Sequence, residues 1–447
     1  MLKSLQKAFK VKEVRDRLLY TFMMLVVIRI GCCLPIPGAD PSYLHDFFSN
    51  LQSSGMGFFN AITGGSFSSM SIFALSITPY ITSSIIMQLL TIAIPKLEEM
   101  QKDGEDGRKK IAEYTRYLTV GLALFESCAM AVGLGGKGLL LEDHRNVWGY
   151  LTVVAAMTAG SALLMWIGER ITDNGVGNGI SIVLLINIVS GTPQDMMTLY
   201  ERFMAGKSVA IATVACIIVL AIIIAIVVFV LILNDAERRI PVQYSKKMQG
   251  RRMIGGQSTY IPLKVNTANV IPVIFASSIM SMPVMIAQFF HVDYSTIGGK
   301  ILLALSSSNW FKPEAPAYSI GLLVYIVLVV LFAYFYTSIT FNPLEVANNM
   351  KKSGGFIPGI RPGKPTSEYL TKILNYLNNI LNYIVFIGAC GLVIVCIIPI
   401  IASGLFSVGN LSFGGTSLII IAGVILETIK AVESMMLVRN YKGFLND

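Results

Sequence analysis

Arg29 and Glu126 are the clearest ionisable residues set inside apolar stretches of this 447-residue chain. Inside a membrane-crossing helix such groups bind or relay a coupling ion. A relay needs further Asp, Glu or His at mid-span, and the sequence supplies none convincingly. Arg29 reads instead as a partner for a backbone carbonyl or an inter-helix polar group. Glu427, Lys430 and Glu433 sit near one end of the last apolar stretch, where they can reach the interface. His45, His144 and His291 fall in or beside loops. Cys32, Cys33, Cys128, Cys216, Cys390 and Cys396 all lie in apolar runs without a CxxC pair, and read as buried hydrophobes. HExxH, GxxxxGK and GxSxG are absent from the sequence. The Gly-rich runs Gly175–Gly179 and Gly133–Gly138 do not follow a strand in a βαβ unit, so they read as a tight turn and a helix start. The chain is therefore expected to hold no catalytic residue, no metal and no cofactor. Its own residues show no ATP site, so any driving energy must come from a partner.

The elements that would position these residues are membrane spans. The chain is 54% hydrophobic and 14% charged, against about 25% charged in soluble domains. Windows such as 209–233 and 320–340 are long enough to cross about 30 Å of hydrocarbon at about 1.5 Å per residue. A soluble enzyme, a secreted disulfide scaffold and a disordered chain are excluded for most of its length. Ten hydrophobic segments lie near 18–37, 71–95, 114–134, 147–169, 179–197, 208–234, 268–290, 318–341, 374–402 and 412–437. The ninth opens on what reads as a polar turn rich in asparagine (Asn375, Asn378, Asn379, Asn382). Net charge is +9. Of the Lys and Arg outside the spans, 28 fall on one side of this ten-span arrangement and 6 on the other. By the positive-inside rule both termini are cytoplasmic. The basic Met1–Lys10 stretch has no cleavage site after the first apolar run, which reads as a retained span.

Three features are unusual. Ser53–Met70 is moderately apolar, too short to span and broken by Gly64-Gly65. It reads either as an interfacial helix or as a movable stopper in an aqueous vestibule. The second segment, with Pro79 at its centre, and the seventh, with Pro272, Ser277-Ser278 and Pro283, mix apolar with small hydroxylated residues. That texture fits a central path or ordinary close packing. The 6–7 loop (235–267) and the 8–9 loop (342–373) are long and basic. They suit docking of a large acidic partner, such as ribosomal RNA or an acidic protein surface, or lipid head groups.

Long runs resemble the SecY family, the channel subunits of the bacterial protein-conducting translocon. They include Leu34-PIPG-Ala39, Ser71-IFALSITPYI-Thr82 with Gln88-LLT, Gly107-RKKIAEYTRY-Leu118, Gly168-ERITDNGVGNGIS-Ile182, Gln249-GRRMIGGQSTYIPLKVN-Thr267, Lys352-SGGFIPGIRPG-Lys364 and Phe413-GGTSL-Leu418. The resemblance implies an all-α polytopic membrane protein, its ten transmembrane helices forming two pseudo-symmetric five-helix halves around an hourglass pore. Residues 1–17 would be a cytoplasmic N-terminus, 18–200 the first half, 201–437 the second and 438–447 a cytoplasmic tail. An apolar pore ring would comprise Ile77, Ile81, Leu184, Ile274 and Ile420; Leu184 replaces the usual Ile. A plug would comprise Phe59, Asn60, Ala61, Ile62, Thr63, Gly64, Gly65, Ser66, Phe67, Ser68 and Ser69. Thr82, Gln88, Asn266, Ser278 and Met282 fall on stretches that resemble a lateral gate formed by spans two, three, seven and eight. Arg239, Lys246, Lys247, Arg251, Arg252, Arg361 and Tyr441 resemble contacts with the SecA motor or the ribosome.

The implied function is passage of unfolded secretory polypeptides across the bacterial plasma membrane, with lateral release of signal sequences and membrane spans into phospholipid. The implied partners are SecE, SecG, SecA, the ribosome and signal-bearing polypeptides, not DNA. The alternatives are a small-solute secondary transporter, which the missing mid-membrane charge pair disfavours, and an accessory paralogue with narrow substrates. An intramembrane enzyme would need a nucleophile–base pair or metal ligands inside a span.

Overall fold

The computed structural model describes residues 9–39, 63–67, 69–134, 140–141, 145–205, 209–244, 247–249, 252–254, 258–268, 270–289, 296–306, 309–310, 316–341, 343–352, 355–357, 366–406 and 415–442. Of the expected sites, Phe59, Asn60, Ala61, Ile62, Ser68, Lys246, Arg251 and Arg361 lie outside these residues, as do the three histidines and Gly135–Gly138.

The chain is mostly helical. Its helices are α1 (Lys12–Cys33), α2 (Thr78–Ala93), α3 (Pro95–Lys102), α4 (Glu105–Leu134), α5 (Val147–Asn174), α6 (Gly179–Phe203) and α7 (Val209–Asp235), then α8 (Ile271–Phe289), α9 (Ile297–Leu305), α10 (Ile320–Thr340), α11 (Pro343–Lys352), α12 (Thr366–Phe406) and α13 (Gly415–Lys442). Among the described residues four stretches are by themselves long and apolar enough to cross a membrane: Val147–Asn174, Ala212–Asp235, Ala317–Thr340 and Asn375–Ile398. Thr78–Ala93 with Pro95–Gln101 forms a fifth, bent by 106°. Hydroxyls within the helices bond back to their own turns: Ser83 Oγ donates to the Pro79 carbonyl at 2.7 Å and Thr337 Oγ1 to the Ala333 carbonyl at 2.7 Å. A polar side chain so paired costs little in hydrocarbon.

Several expectations are corrected. Residues 71–77 are turns, and α2 begins only at Thr78. Pro79 therefore occupies the first helical turn, where its missing N–H is no loss, and it does not bend the helix. The bend lies at Ile94, ahead of Pro95. The fifth segment runs through Pro193 to Phe203. The asparagines 375–382 are inside α12, because Ile373, Leu377, Leu381 and Ile384 form a buried stripe at helical spacing. That stripe outweighs the asparagines' weak dislike of a helix. Cys33 and Cys216 are exposed rather than buried.

The two long loops are not loops throughout. β1 (Glu237–Tyr244) pairs antiparallel with β4 (Ser258–Lys264), and β5 (Gly355–Phe356) adds to the other edge of β1 through Gln243 and Tyr244. β2 (Lys247–Gln249) and β3 (Arg252–Ile254) form a separate hairpin. Alternation puts Ile240, Val242 and Leu263 on the inner face of the sheet, where they pack with Ile357, Ala347 and α12.

Helices α1, α2, α4, α5 and α6 pack among themselves, as do α7, α8, α10, α12 and α13. The groups meet along two seams. On one, α8 touches α2 and α4; on the other, α13 touches α6 and α1, and α7 touches α6. Among the described residues no side-chain hydrogen bond links α8 to α2 or α4. On the second seam the hydrogen bonds tie each group to itself, and apolar packing bridges the two. Lys430 Nζ of α13 donates to Asp235 Oδ1 of α7 at 2.7 Å. The Val176 amide donates to Thr21 Oγ1 of α1 at 3.2 Å, and Val14, Val176 and Val432 pack together.

Gly160 of α5 lies directly against the Ile72 carbonyl. Beside it, Ser161 Oγ donates to the Ser76 carbonyl at 3.2 Å. Gly160→Leu is expected to push residues 71–77 off α5, at a cost of at least about 1–3 kcal/mol. Thermal melting of the detergent-purified protein checks this: the variant should melt several degrees lower.

Candidate functional site

Helix α6 gives the axis of the site. Its N-terminus follows the turn 175–178, in which Gly177 has φ +72°. Asn178 caps it, Oδ1 accepting from the Ile180 and Ser181 amides at 3.1 and 3.4 Å. The Gly179 amide donates to Thr172 Oγ1 at 2.9 Å. Gly179 lies directly against the Gly168 carbonyl, so α5 and α6 leave the turn in contact. Along α6 the lining then changes from polar to apolar and back to polar.

At the entry end, a cavity of about 400 Å³ is lined by Asn178 and Ser181 of α6, Asn234, Lys264, Asn266, Glu427 and Lys430. Leu184, Ile274 and Ile420 line the same cavity. The Asn266 Nδ2 donates to Asn234 Oδ1 at 2.7 Å, while the buried Nδ2 of Asn234 has no partner among the described residues.

Next along α6 is a dry cluster. Ile77, Leu184, Ile274 and Ile420 are 0%, 4%, 9% and 2% exposed and belong to one hydrophobic core, with Ile81 packed against it. They come from the turn before α2 and from α6, α8 and α13, so four elements far apart in sequence contribute to one apolar core. Their side chains offer water no hydrogen bond.

About 9 Å further along α6, taking about 1.5 Å per residue over two turns, the polarity returns. Arg29 Nη1 of α1 donates to Ser190 Oγ at 2.9 Å. Ser190 Oγ lies 2.7 Å from the Asn187 carbonyl and 3.4 Å from the Gly64 carbonyl. Asn187 Nδ2 donates to Ser76 Oγ at 2.9 Å. Arg29 thus finds an inter-helix polar group, one of the two partners its sequence position suggested. Gly64 has φ +65°, and a Cβ there would sit 2.8 Å from the Asn187 carbonyl oxygen. Thr63, Ser66 and Phe67 are buried. Phe67 and Met70 pack against Ile36, Leu75, Met130 and Met157. The described half of the expected plug is seated against α4, α5 and α6.

Thr82 and Gln88 lie on α2, and Ser278 and Met282 on the facing α8. The buried Gln88 Oε1 has no partner among the described residues. Asn266 departs from that group, lining the entry cavity with Asn234 instead. Arg239 is exposed on the sheet, Nε donating to Glu237 Oε1 at 2.7 Å, with its guanidinium 4.7 Å from the Tyr260 ring centroid. The hydrogen bond to the Glu237 carboxylate pushes its pKa up. The backbone puts Lys247 on β2, Arg252 on β3 and Tyr441 in the last turn of α13.

Sequence reading missed Asn187, Ser190, Ser76 and Asn234. The available signal was an Asn and a Ser six and three residues before the end of the apolar run in α6, and an Asn closing α7. Neither names its partner, because the partners lie 30 to more than 150 positions away.

The SecY family model matches residues 71–429. The protein translocase subunit SecY of Streptomyces scabiei is 44% identical over 458 aligned residues, covering all of both chains. The fold is similar to that of a solved SecY protein, described for a plug domain that stabilises the closed channel, with TM-score 0.61 and 17% identity over 94% of this chain and 92% of that one. It is also similar to Sec61 in a canine ribosome-channel complex from the endoplasmic reticulum, with TM-score 0.57 and 16% identity over 94% and 92%. With a matching family model over most of its length and whole-chain similarity to a translocase subunit, the chain belongs to the SecY family.

Proposed function

We propose that this multi-pass membrane protein is the channel through which unfolded secretory polypeptides cross the bacterial plasma membrane. The observation that carries the reading is that Ile77, Leu184, Ile274 and Ile420 belong to one apolar core, of which Leu184, Ile274 and Ile420 also floor a polar cavity. An apolar constriction dewets and so stops ions. It makes no specific hydrogen bond, so any sequence can slide past it. Family membership supports the same role, and no step of it needs catalysis by this chain.

In this reading ten spans form two halves, 18–200 and 201–437, about an hourglass pore, with both termini cytoplasmic. Ile77, Ile81, Leu184, Ile274 and Ile420 are the ring, and residues 59–69 the plug. The seam of α8 against α2 and α4 is the lateral gate, lined by Thr82, Gln88, Ser278 and Met282. Support for a gate there is that α8 meets α2 and α4 by packing, with no side-chain hydrogen bond between them among the described residues. An apolar signal helix can wedge between helices held by contact alone. SecE and SecG are the companion subunits. SecA or the ribosome supplies the push, gripping Arg239, Lys246, Lys247, Arg251, Arg252, Arg361 and Tyr441. The Sec61 relative in a ribosome-channel complex favours the ribosome as one such partner.

The direct test is a photoreactive phenylalanine analogue in place of Ile274, with a secretory precursor arrested midway across vesicles. The expected result is a crosslink that depends on ATP and SecA; none, with the precursor shown to be arrested, overturns the path. Arg361→Glu is expected to abolish SecA-driven export while the protein still inserts, and normal export kinetics would remove the coupling role. Single-channel recording checks the seal. Gly64→Val, which forces a side chain into Asn187, and the pair Ile77→Gly with Ile274→Gly should each raise resting ion conductance at least severalfold. Unaltered conductance in both would put the seal elsewhere.

A further inference from the structure

The entry cavity contains more hydrogen-bond donors than its own residues use. Asn234 spends its Oδ1 on Asn266, and its Nδ2 has no partner among the described residues although it is buried. Asn178, exposed at the mouth of the cavity, spends its Oδ1 on the cap of α6 and turns its amide N–H groups to the outside. A buried donor without a partner costs roughly 1–3 kcal/mol, so it is retained at a wall only where something comes to meet it. The wall carries both signs of charge, Lys264 and Glu427 lining it and Lys430 held by Asp235. The wall therefore suits a neutral acceptor, not an anion. It lies one helical turn ahead of the dry cluster, on helices that share Leu184, Ile274 and Ile420 with it.

We propose that Asn234 and Asn266 form a ledge that holds an extended polypeptide by its main-chain carbonyls just before the constriction. The proposal rests on the reading of the chain as a protein-conducting channel. Main-chain carbonyls recur in every sequence, so the ledge is blind to side chains. It slows back-sliding between pushes, because each carbonyl leaving a donor exposes it again. The dry ring further on cannot do this, since it has no donor.

The test uses the assembled channel in vesicles with its motor. A precursor is arrested so that a defined 12-residue run occupies the cavity, the motor is stopped by removing ATP, and the half-time of back-sliding is measured. Two versions of the run are compared: ordinary amides, and backbone esters, whose carbonyls are weaker acceptors. One net hydrogen bond is worth roughly two- to tenfold in such a rate, so the ester run should slide back about that much faster in the unaltered channel. In Asn234→Leu both runs should slide at the same fast rate. Equal half-times for amide and ester runs in the unaltered channel overturn the ledge, and that comparison needs no variant to fold. A change between Gly/Ser-rich and Lys-rich runs larger than the Asn234→Leu effect also overturns it. The photoreactive analogue at position 274 separates the two readings. Capture there with equal half-times removes the ledge alone; absence of capture removes the channel reading beneath it.

Discussion

Backbone that leaves the helix inside a membrane must find a partner for every N–H and C=O it frees, because lipid offers none. Residues 71–77 meet much of that demand locally and from three neighbours. The Ser71 amide donates to the Ser66 carbonyl, the Ile72 amide to the Leu34 carbonyl, the Ala74 amide to the Ser71 carbonyl and the Ser76 amide to the Phe73 carbonyl. Ser161 of α5 donates to the Ser76 carbonyl, and Asn187 of α6 holds the Ser76 hydroxyl. Ser76 is held at φ +52°, a strained value for a residue with a Cβ. The strain persists because its surroundings over-determine it. Ile77 follows directly, so its place in the apolar core depends on this packing. So does the seat of Phe67 and Met70, since the Ile36 amide takes the Met70 carbonyl.

That arrangement gives the helices around it unequal freedom. α5 and α6 are hydrogen-bonded to the strained segment and, through the 175–178 turn, to α1. α8 meets α2 and α4 through side-chain packing alone among the described residues. Dispersion contacts between helices can be replaced by equivalent contacts with another apolar helix at little net change, whereas a hydrogen bond in lipid cannot be exchanged so freely.

Much of this was legible in the sequence. The long apolar windows gave α7 and α10 almost to the residue and α5 but for its last five residues, and Gly177-Asn178-Gly179 marked the start of α6 by its turn and cap chemistry. The dry cluster was reached through motif resemblance, since nothing in Ile77 or Ile420 themselves distinguishes them from other branched residues in apolar runs. What stayed hidden was decided by distant partners. Pro79 looked central because the apolar run began at Ser71, yet hydropathy does not tell helix from well-satisfied turn. The asparagines of α12 looked like a break because their propensity was weighed without the buried stripe on the opposite face. Strand β5 is two residues long, too short for any periodicity, and exists because β1 offers it an edge.

That short strand has a mechanical consequence. β5 is tied to β1 by a two-residue ladder and by the burial of Ile357 beside it. Backbone hydrogen bonds contribute about 0.5–1.5 kcal/mol each net, and burying one Ile about 1.5–3 kcal/mol. The link between the two loops is therefore a few kcal/mol strong, well below the long pairing of β1 with β4. It behaves as a slipping clutch: a gentle load on one loop turns both together, and a heavy one parts the ladder while the helices beneath stay in place.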